Sequence, residues 1–265
     1  MTSETVHSLV QRATELRRLH HQSEPLVLAN SWDVPSAKAA VVAGFPVVAT
    51  TSAGLDGALG HADHNVAPVD EVFAAIGRIA GSVDVPVTAD CEGGFGLEPE
   101  AFVERLLAAG AVGCNLEDSD YSADNAGGLL PLERQAEFIA GVRAAATAWG
   151  VDVVINARID VWVRGFSNDP AVRIAEAMRR ADAYRAAGAD CVYPIVANDE
   201  QTIAALVPGG PVNILVRPGG PSIQRLTDLG VRRISVGGGL YAASGRDMAA
   251  RMSSLRQGDV EQALA

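Results

Sequence analysis

The chain is poor in cysteine, poor in basic charge relative to acid, and has no long apolar run or low-complexity tract. Cys91, Cys114 and Cys191 are odd in number, far apart and each set in an apolar, strand-like stretch, with no CxxC pair. That pattern excludes a disulfide framework and a thiolate metal cluster, and fits reduced, buried thiols in a cytoplasmic protein. With 21 Lys and Arg against 32 Asp and Glu, a net charge of -11 and a pI near 4.9, the basic patch needed by nucleic acid or an anionic membrane is missing. The first residues place Val6, Leu9, Val10 and Leu16 at helical spacing among polar ones, which reads as neither an export signal nor a membrane span.

What is present is alternation. Short β-branched runs recur between amphipathic helices: LVLANS (26–31), PVVATTS (46–52), PVTADCE (86–92), VGCNLED (112–118), VVINARID (153–160), CVYPIV (191–196), VNILVRP (212–218) and RRISVG (232–237). Gly44, Gly110, Gly188 and Gly230 each precede a strand where a helix must end in a left-handed residue. Asn168 or Asp169 can cap a helix begun by Pro170, with Ile174, Met178 and Ala181 as its expected buried stripe. Eight strand–helix units without a linker predict one (β/α)8 barrel over residues 1–265, of the TIM type, with a doubly wound open sheet as the competitor. A helix over 1–22 covers the barrel's bottom in this reading, and 240–265 forms a C-terminal helical segment.

In such a barrel the chemistry sits at the C-terminal strand ends. Those ends carry Thr50, Thr51 and Ser52, then Asp56 and Asp63 in the next segment; Asp90 and Glu92; Glu117 and Asp118; and Asn156, Arg158 and Asp160. Period-two alternation predicts Asp90 and Glu92 on one strand face and Asn156, Arg158 and Asp160 on another. Carboxylates converging from neighbouring strands raise one another's pKa unless a cation compensates. With no His or thiolate expected nearby, an all-oxygen set selects Mg²⁺ first and Mn²⁺ second. Arg158 offers a planar fork for a substrate carboxylate, or alternatively a salt bridge to Asp160 or Glu117. Each acid taken alone also suits a helix cap or a solvated loop. Trp32 and Asp33 read as packing and capping, and the glycine runs RPGGPS (217–222) and SVGGG (235–239) as close packing or a phosphate cradle.

The order of these motifs resembles the isocitrate lyase/phosphoenolpyruvate mutase superfamily. NSWDVPSAKAAVVAGFPVVATTSAGLDGALGHAD is similar to its first two strand units, TADCEGGFG to its D-x-D-x-G-[FY]-G segment, GCNLED to its fourth strand and NARID to its A-R-x-[DE] strand. The resemblance implies a barrel whose last helix is exchanged in a homo-oligomer, a bound Mg²⁺, and a small anionic 2-oxo acid substrate. It further implies Asp90 as the direct metal ligand, with Asp63, Glu92 and Glu117 holding the ion's waters. Thr51, Ser52 and Ala53 fall at the family's carboxylate-binding turn, and Arg158, beside Asn156, at its substrate arginine. Arg158 and Glu117 are the candidate catalytic pair.

Two departures stand out. Glu92 replaces an aspartate, and the segment after strand four, EDSDYSADNAGGLLP, lacks the K-[KR]-C-G-H lid of the succinate-releasing lyases. Over 119–130 it offers Tyr121, Asp124 and Asn125 instead. The expected activity is an Mg²⁺-dependent carbon–carbon lyase or decarboxylase working through an enolate. P–C mutase or hydrolase chemistry and non-catalytic binding of 2-oxo acids are the alternatives.

Overall fold

A computed structural model describes residues 2–64, 66–122 and 127–265. Asp124 and Asn125 lie outside the described residues. Among these, nine parallel strand segments follow in order: β1 (Leu26–Leu28), β2 (Asn30–Ser31), β3 (Val48–Thr50), β4 (Val87–Asp90), β5 (Gly113–Glu117), β6 (Val154–Ile159), β7 (Cys191–Pro194), β8 (Asn213–Leu215) and β9 (Arg233–Ser235). The eight predicted strands are all there; the first keeps both ends but is broken at Ala29 into β1 and β2, and the other seven are shorter than predicted. Hydrogen bonding runs β2-β3-β4-β5-β6-β7 in one sheet and β1-β9-β8 in another. The ladder is therefore not closed. A single parallel bridge, Val192 to Val212, spans the β7–β8 seam. Across the other seam, the Asn30 side chain donates to Thr50 O (2.9 Å) and accepts from the backbone N–H groups of Val236 and Gly237 (3.0 Å each).

Helices cover the outside of the staves: α1 (Ser3–Leu19), α2 (Val34–Val42), α3 (Ser52–Leu59), α4 (Val69–Ala80), α5 (Pro99–Ala108), α6 (Leu132–Ala148), α7 (Pro170–Ala186), α8 (Glu200–Leu206), α9 (Ile223–Asp228), α10 (Gly239–Arg256) and α11 (Val260–Leu264). Local chemistry sets their ends. Asp33 forms a capping box with Ser36 at α2, and Asp169 caps α7 just before Pro170. Gly44, Gly110, Gly188 and Gly230 all hold positive φ, as the repeated lead-in predicts. Leu9, Ala13, Leu16 and Leu19 of α1 are buried in the core, together with the valines and isoleucines of the staves. All three cysteines are free and buried, and burial pushes their thiols up.

One expected stripe holds only in part, at Ala181. On α7 the buried residues are Glu176, Ala177, Arg180, Ala181 and Tyr184, while Met178 is exposed. The cause is electrostatic. Asp118 is fully buried, and both Arg180 Nη1 (2.9 Å) and Tyr184 Oη (2.7 Å) donate to its Oδ2, so the helix turns its polar side inward to satisfy that charge. At the other extreme, α10 buries none of its residues and leaves Leu240, Met248, Met252 and Leu255 exposed.

Candidate active site

The C-terminal strand ends enclose a cavity of about 260 Å³. Thr51, Ser52, Ala53, Asp63, Asp90, Asn115 and Arg158 line it, with Arg217, Arg233, Ser235, Gly237 and Gly238 on the other side. A larger groove of about 660 Å³ lies between α2 and α10, but it is apolar, and the charged side chains converge in the smaller space.

Asp90 is held on every side. Its N–H donates to Thr50 Oγ1 (2.8 Å), Oδ2 accepts from the Ser52 N–H at the start of α3 (3.0 Å), and Oδ1 accepts from Asn115 Nδ2 (3.3 Å). Asn115 cannot turn over, because its Oδ1 accepts from both Asn156 Nδ2 (2.8 Å) and Arg233 Nη2 (3.1 Å). Asn156 thus lies buried behind Asn115 and is not among the cavity-lining residues. Beneath Arg233, His20 donates from Nδ1 to Leu16 O (2.7 Å), which leaves Nε2 as the acceptor facing Arg233 Nη1 (3.3 Å). Burial, and then the charge of Arg233, holds His20 down to about 3, so it is neutral.

Glu92 does not share a strand face with Asp90, as the alternation predicted. β4 stops at Asp90, and Glu92 sits in the next turn at φ +46°, a conformation uncommon for a non-glycine residue. That turn carries its buried carboxylate towards Asp63 and His64, and ligand atoms of these three residues lie within 4.8 Å of one another. His64 corrects the all-oxygen expectation; its proximity depends on how the loop after α3 folds back, which residue spacing does not disclose. Buried Asp56 is raised to about 6, chiefly by burial and then by the charge of Asp63, with Asp90 adding to it. Part of that shift is repulsion by Asp63 and Asp90, an excess of negative charge at this end of the cavity. Two carboxylates, an imidazole and that excess charge fit a divalent cation.

Glu117 and Arg158 stand outside this group. Arg158 pairs with Glu117 through Nη1 and with Asp160 through Nε (2.6 Å) and Nη2 (3.0 Å). Tyr121 Oη donates to Glu117, its ring stacks 6.0 Å from that of His64, and the Arg164 guanidinium lies 5.2 Å over the same ring. Burial outweighs the attraction of Arg158 and pushes Glu117 up to about 8. Both of the salt bridges weighed for Arg158 are therefore made, while the side chain still lines the cavity. Asn115 and Arg233 carried no sequence signal as site residues, since their roles arise from pairing across the barrel, whereas Tyr121, offered by the segment after strand four, reaches Glu117 four residues away.

Parallel staves with acids and arginines gathered at their C-terminal ends define an α/β barrel with its candidate site at the strand ends. The chain belongs to the phosphoenolpyruvate mutase family: the family model described as phosphoenolpyruvate phosphomutase matches residues 16–256. An uncharacterized protein of Mycobacterium tuberculosis is 36% identical over 234 residues, covering 85% of this chain and 84% of that protein. An oxaloacetate decarboxylase of Pseudomonas savastanoi is 30% identical over 66% of this chain and 59% of its own. A solved structure from Burkholderia cenocepacia, 35% identical, superposes with a TM-score of 0.85 over 92% of this chain and 99% of that one.

Proposed function

We propose that the protein is a divalent-cation-dependent lyase or decarboxylase that cleaves a carbon–carbon bond in a small 2-oxo acid through an enolate, with Mg²⁺ as the cation and Mn²⁺ as its substitute. The observation that carries this reading is the gathering of Asp63, His64 and Glu92 beside a cavity lined by Asp90 and Arg158. Asp90, with Asp63, Glu92 and His64, would hold the ion, which supplies electron withdrawal that stabilises the enolate's charge. The protein's own groups do the rest. Arg158, braced by Asp160 and Glu117, presents its remaining donor edge to the substrate carboxylate. Thr51, Ser52 and Ala53 also line the cavity, at the start of α3. Glu117, pushed up to about 8, is the carboxyl beside Arg158 that can hold a proton at neutral pH.

The test is a screen of oxaloacetate, 2-oxoglutarate, substituted malates and phosphonopyruvate, each with and without Mg²⁺. Metal-dependent turnover of at least one is expected. Asp90→Ala should reduce it to background, and Arg158→Ala should raise KM about 10- to 100-fold, the loss of one charge-assisted pair. No metal-dependent turnover of any of them defeats the proposal. Because the matching family model is that of a phosphomutase, phosphate release from phosphonopyruvate is the product assay that separates P–C from C–C cleavage. Tight binding without product marks a non-catalytic binder, a reading motivated by the missing lysine, cysteine and histidine between Ser119 and Leu130.

A further inference from the structure

Arg158 owes its aim to two carboxylates, and both of those are held in turn through one further residue. Asp160 grips the Arg158 fork at Nε and Nη2, and Glu117 pairs with Nη1. Behind Asp160 stands Ser119, buried just past the end of β5, whose hydroxyl donates to Asp160 Oδ2. Behind Glu117 stands Tyr121, whose hydroxyl donates to Glu117 Oε1. Arg164, in the turn after β6, meets both: its Nε donates to Ser119 Oγ (2.7 Å), and its guanidinium lies 5.2 Å from the centre of the Tyr121 ring. The Arg164 backbone N–H also donates to Asp160 O (2.8 Å), one turn back along the chain. These contacts close a ring of side chains that runs Arg158, Asp160, Ser119, Arg164, Tyr121, Glu117 and back to Arg158.

The direction of each bond follows from what its groups can do. A guanidinium only donates, so Ser119 Oγ must accept from Arg164, and its single hydrogen is left for Asp160. The Ser119 backbone is already placed by its bridge to Leu129, which leaves the aim of the hydroxyl for Arg164 to decide. On the other arm, a cation over the face of an aromatic ring favours one ring orientation, and that orientation carries the Tyr121 Oη–H onto Glu117. Without Arg164 the Ser119 hydroxyl is free to turn and the Tyr121 ring to tilt. Both carboxylates then lose a bond that fixes their planes, while their ion pairs with Arg158 remain. We propose that Arg164 is a positioning residue for Arg158, acting through Ser119 and Tyr121 to set the direction in which the Arg158 fork meets the substrate carboxylate. Small errors of direction weaken that meeting, because a fork and a carboxylate pair best in one plane. The kinetic consequence rests on the function proposed above; the ring of contacts does not.

The experiment uses the full chain and the variants Arg164→Gln, Arg164→Lys and Ser119→Ala, with retention of fold checked by circular dichroism. The first readout is the Arg158 Nε–H signal in a heteronuclear NMR spectrum of the ligand-free protein, assigned by its loss in Arg158→Lys. Arg164→Gln and Ser119→Ala should both move that signal and speed its exchange with solvent about 10-fold, and Arg164→Lys should bring it part of the way back. The second readout is Mg²⁺-dependent turnover of oxaloacetate, or of whichever acid in the screen above is turned over fastest. Arg164→Gln should raise KM about 3- to 10-fold with kcat within about twofold, and Arg164→Lys should recover most of that loss. Combining Arg164→Gln with Ser119→Ala should cost less than the product of the two single effects, because both act on Asp160. A variant that is merely part-unfolded loses kcat while the KM of the folded remainder is unchanged. An Arg158 signal that stays put in Arg164→Gln, or a loss confined to kcat, overturns the proposal. If no acid in the screen is turned over while the signal still moves, the positioning role stands and the proposed function falls.

Discussion

At the scale of single residues, the site depends on neutral groups that fix charged ones. His20 must stay uncharged to accept from Arg233, which helps to hold Asn115 and, through it, Asp90. Its folded pKa of about 3 lies below the ordinary value near 6.5, so between those values the unfolded chain binds the extra proton. Stability contributed by His20 is therefore full above pH 6.5 and is lost as pH falls towards 3. Thermal melts from pH 7 to pH 4 should show a falling midpoint, and His20→Gln, which cannot titrate, should flatten that slope; an unchanged slope refutes the assignment. Asp90 and Arg158 could be read from the sequence as cavity-lining candidates because each sits at the end of a recognisable strand. His64 and Arg233 could not, since one depends on a loop's path and the other on which side chain of α1 reaches β9.

At the scale of elements, the strands themselves were legible but their ends were not. β4 yields to a turn after Asp90 and β3 to helix α3 after Thr50, because the backbone there serves the cavity and leaves the ladder. The α7 stripe was misread for a related reason: periodicity reports apolar faces, and this helix buries Arg180 and Tyr184 against Asp118. Close approach supplies a test of how α1 seats against the staves. A Cβ added at Gly113 on β5 would lie 2.7 Å from Leu16 Cδ2 and 2.9 Å from Thr88 Oγ1. Gly113→Ala should destabilise the fold by about 1–3 kcal/mol, read as a lower urea midpoint, because both neighbours are buried and packed. A midpoint equal to that of the native chain would mean that α1 sits more loosely than its buried leucines indicate.

At the scale of the whole molecule, α10 is the element without a home. Its apolar side chains Met248, Met252 and Leu255 are exposed, and none of its residues is buried. We propose that another copy of the chain covers it, in keeping with the exchanged last helix that the family resemblance implies. Light scattering should give a mass of two subunits or more, and Met248→Glu with Met252→Glu should shift it towards one. A native chain that runs as a monomer would rule this out.

The break at Ala29 and the lone bridge between Val192 and Val212 divide the hoop into two arcs. One arc carries Asp90 and Arg158 into the cavity and the other Arg217 and Arg233. A guest that touches both acts as a cross-brace, and slower amide exchange at those two joints would register its arrival before any bond is broken.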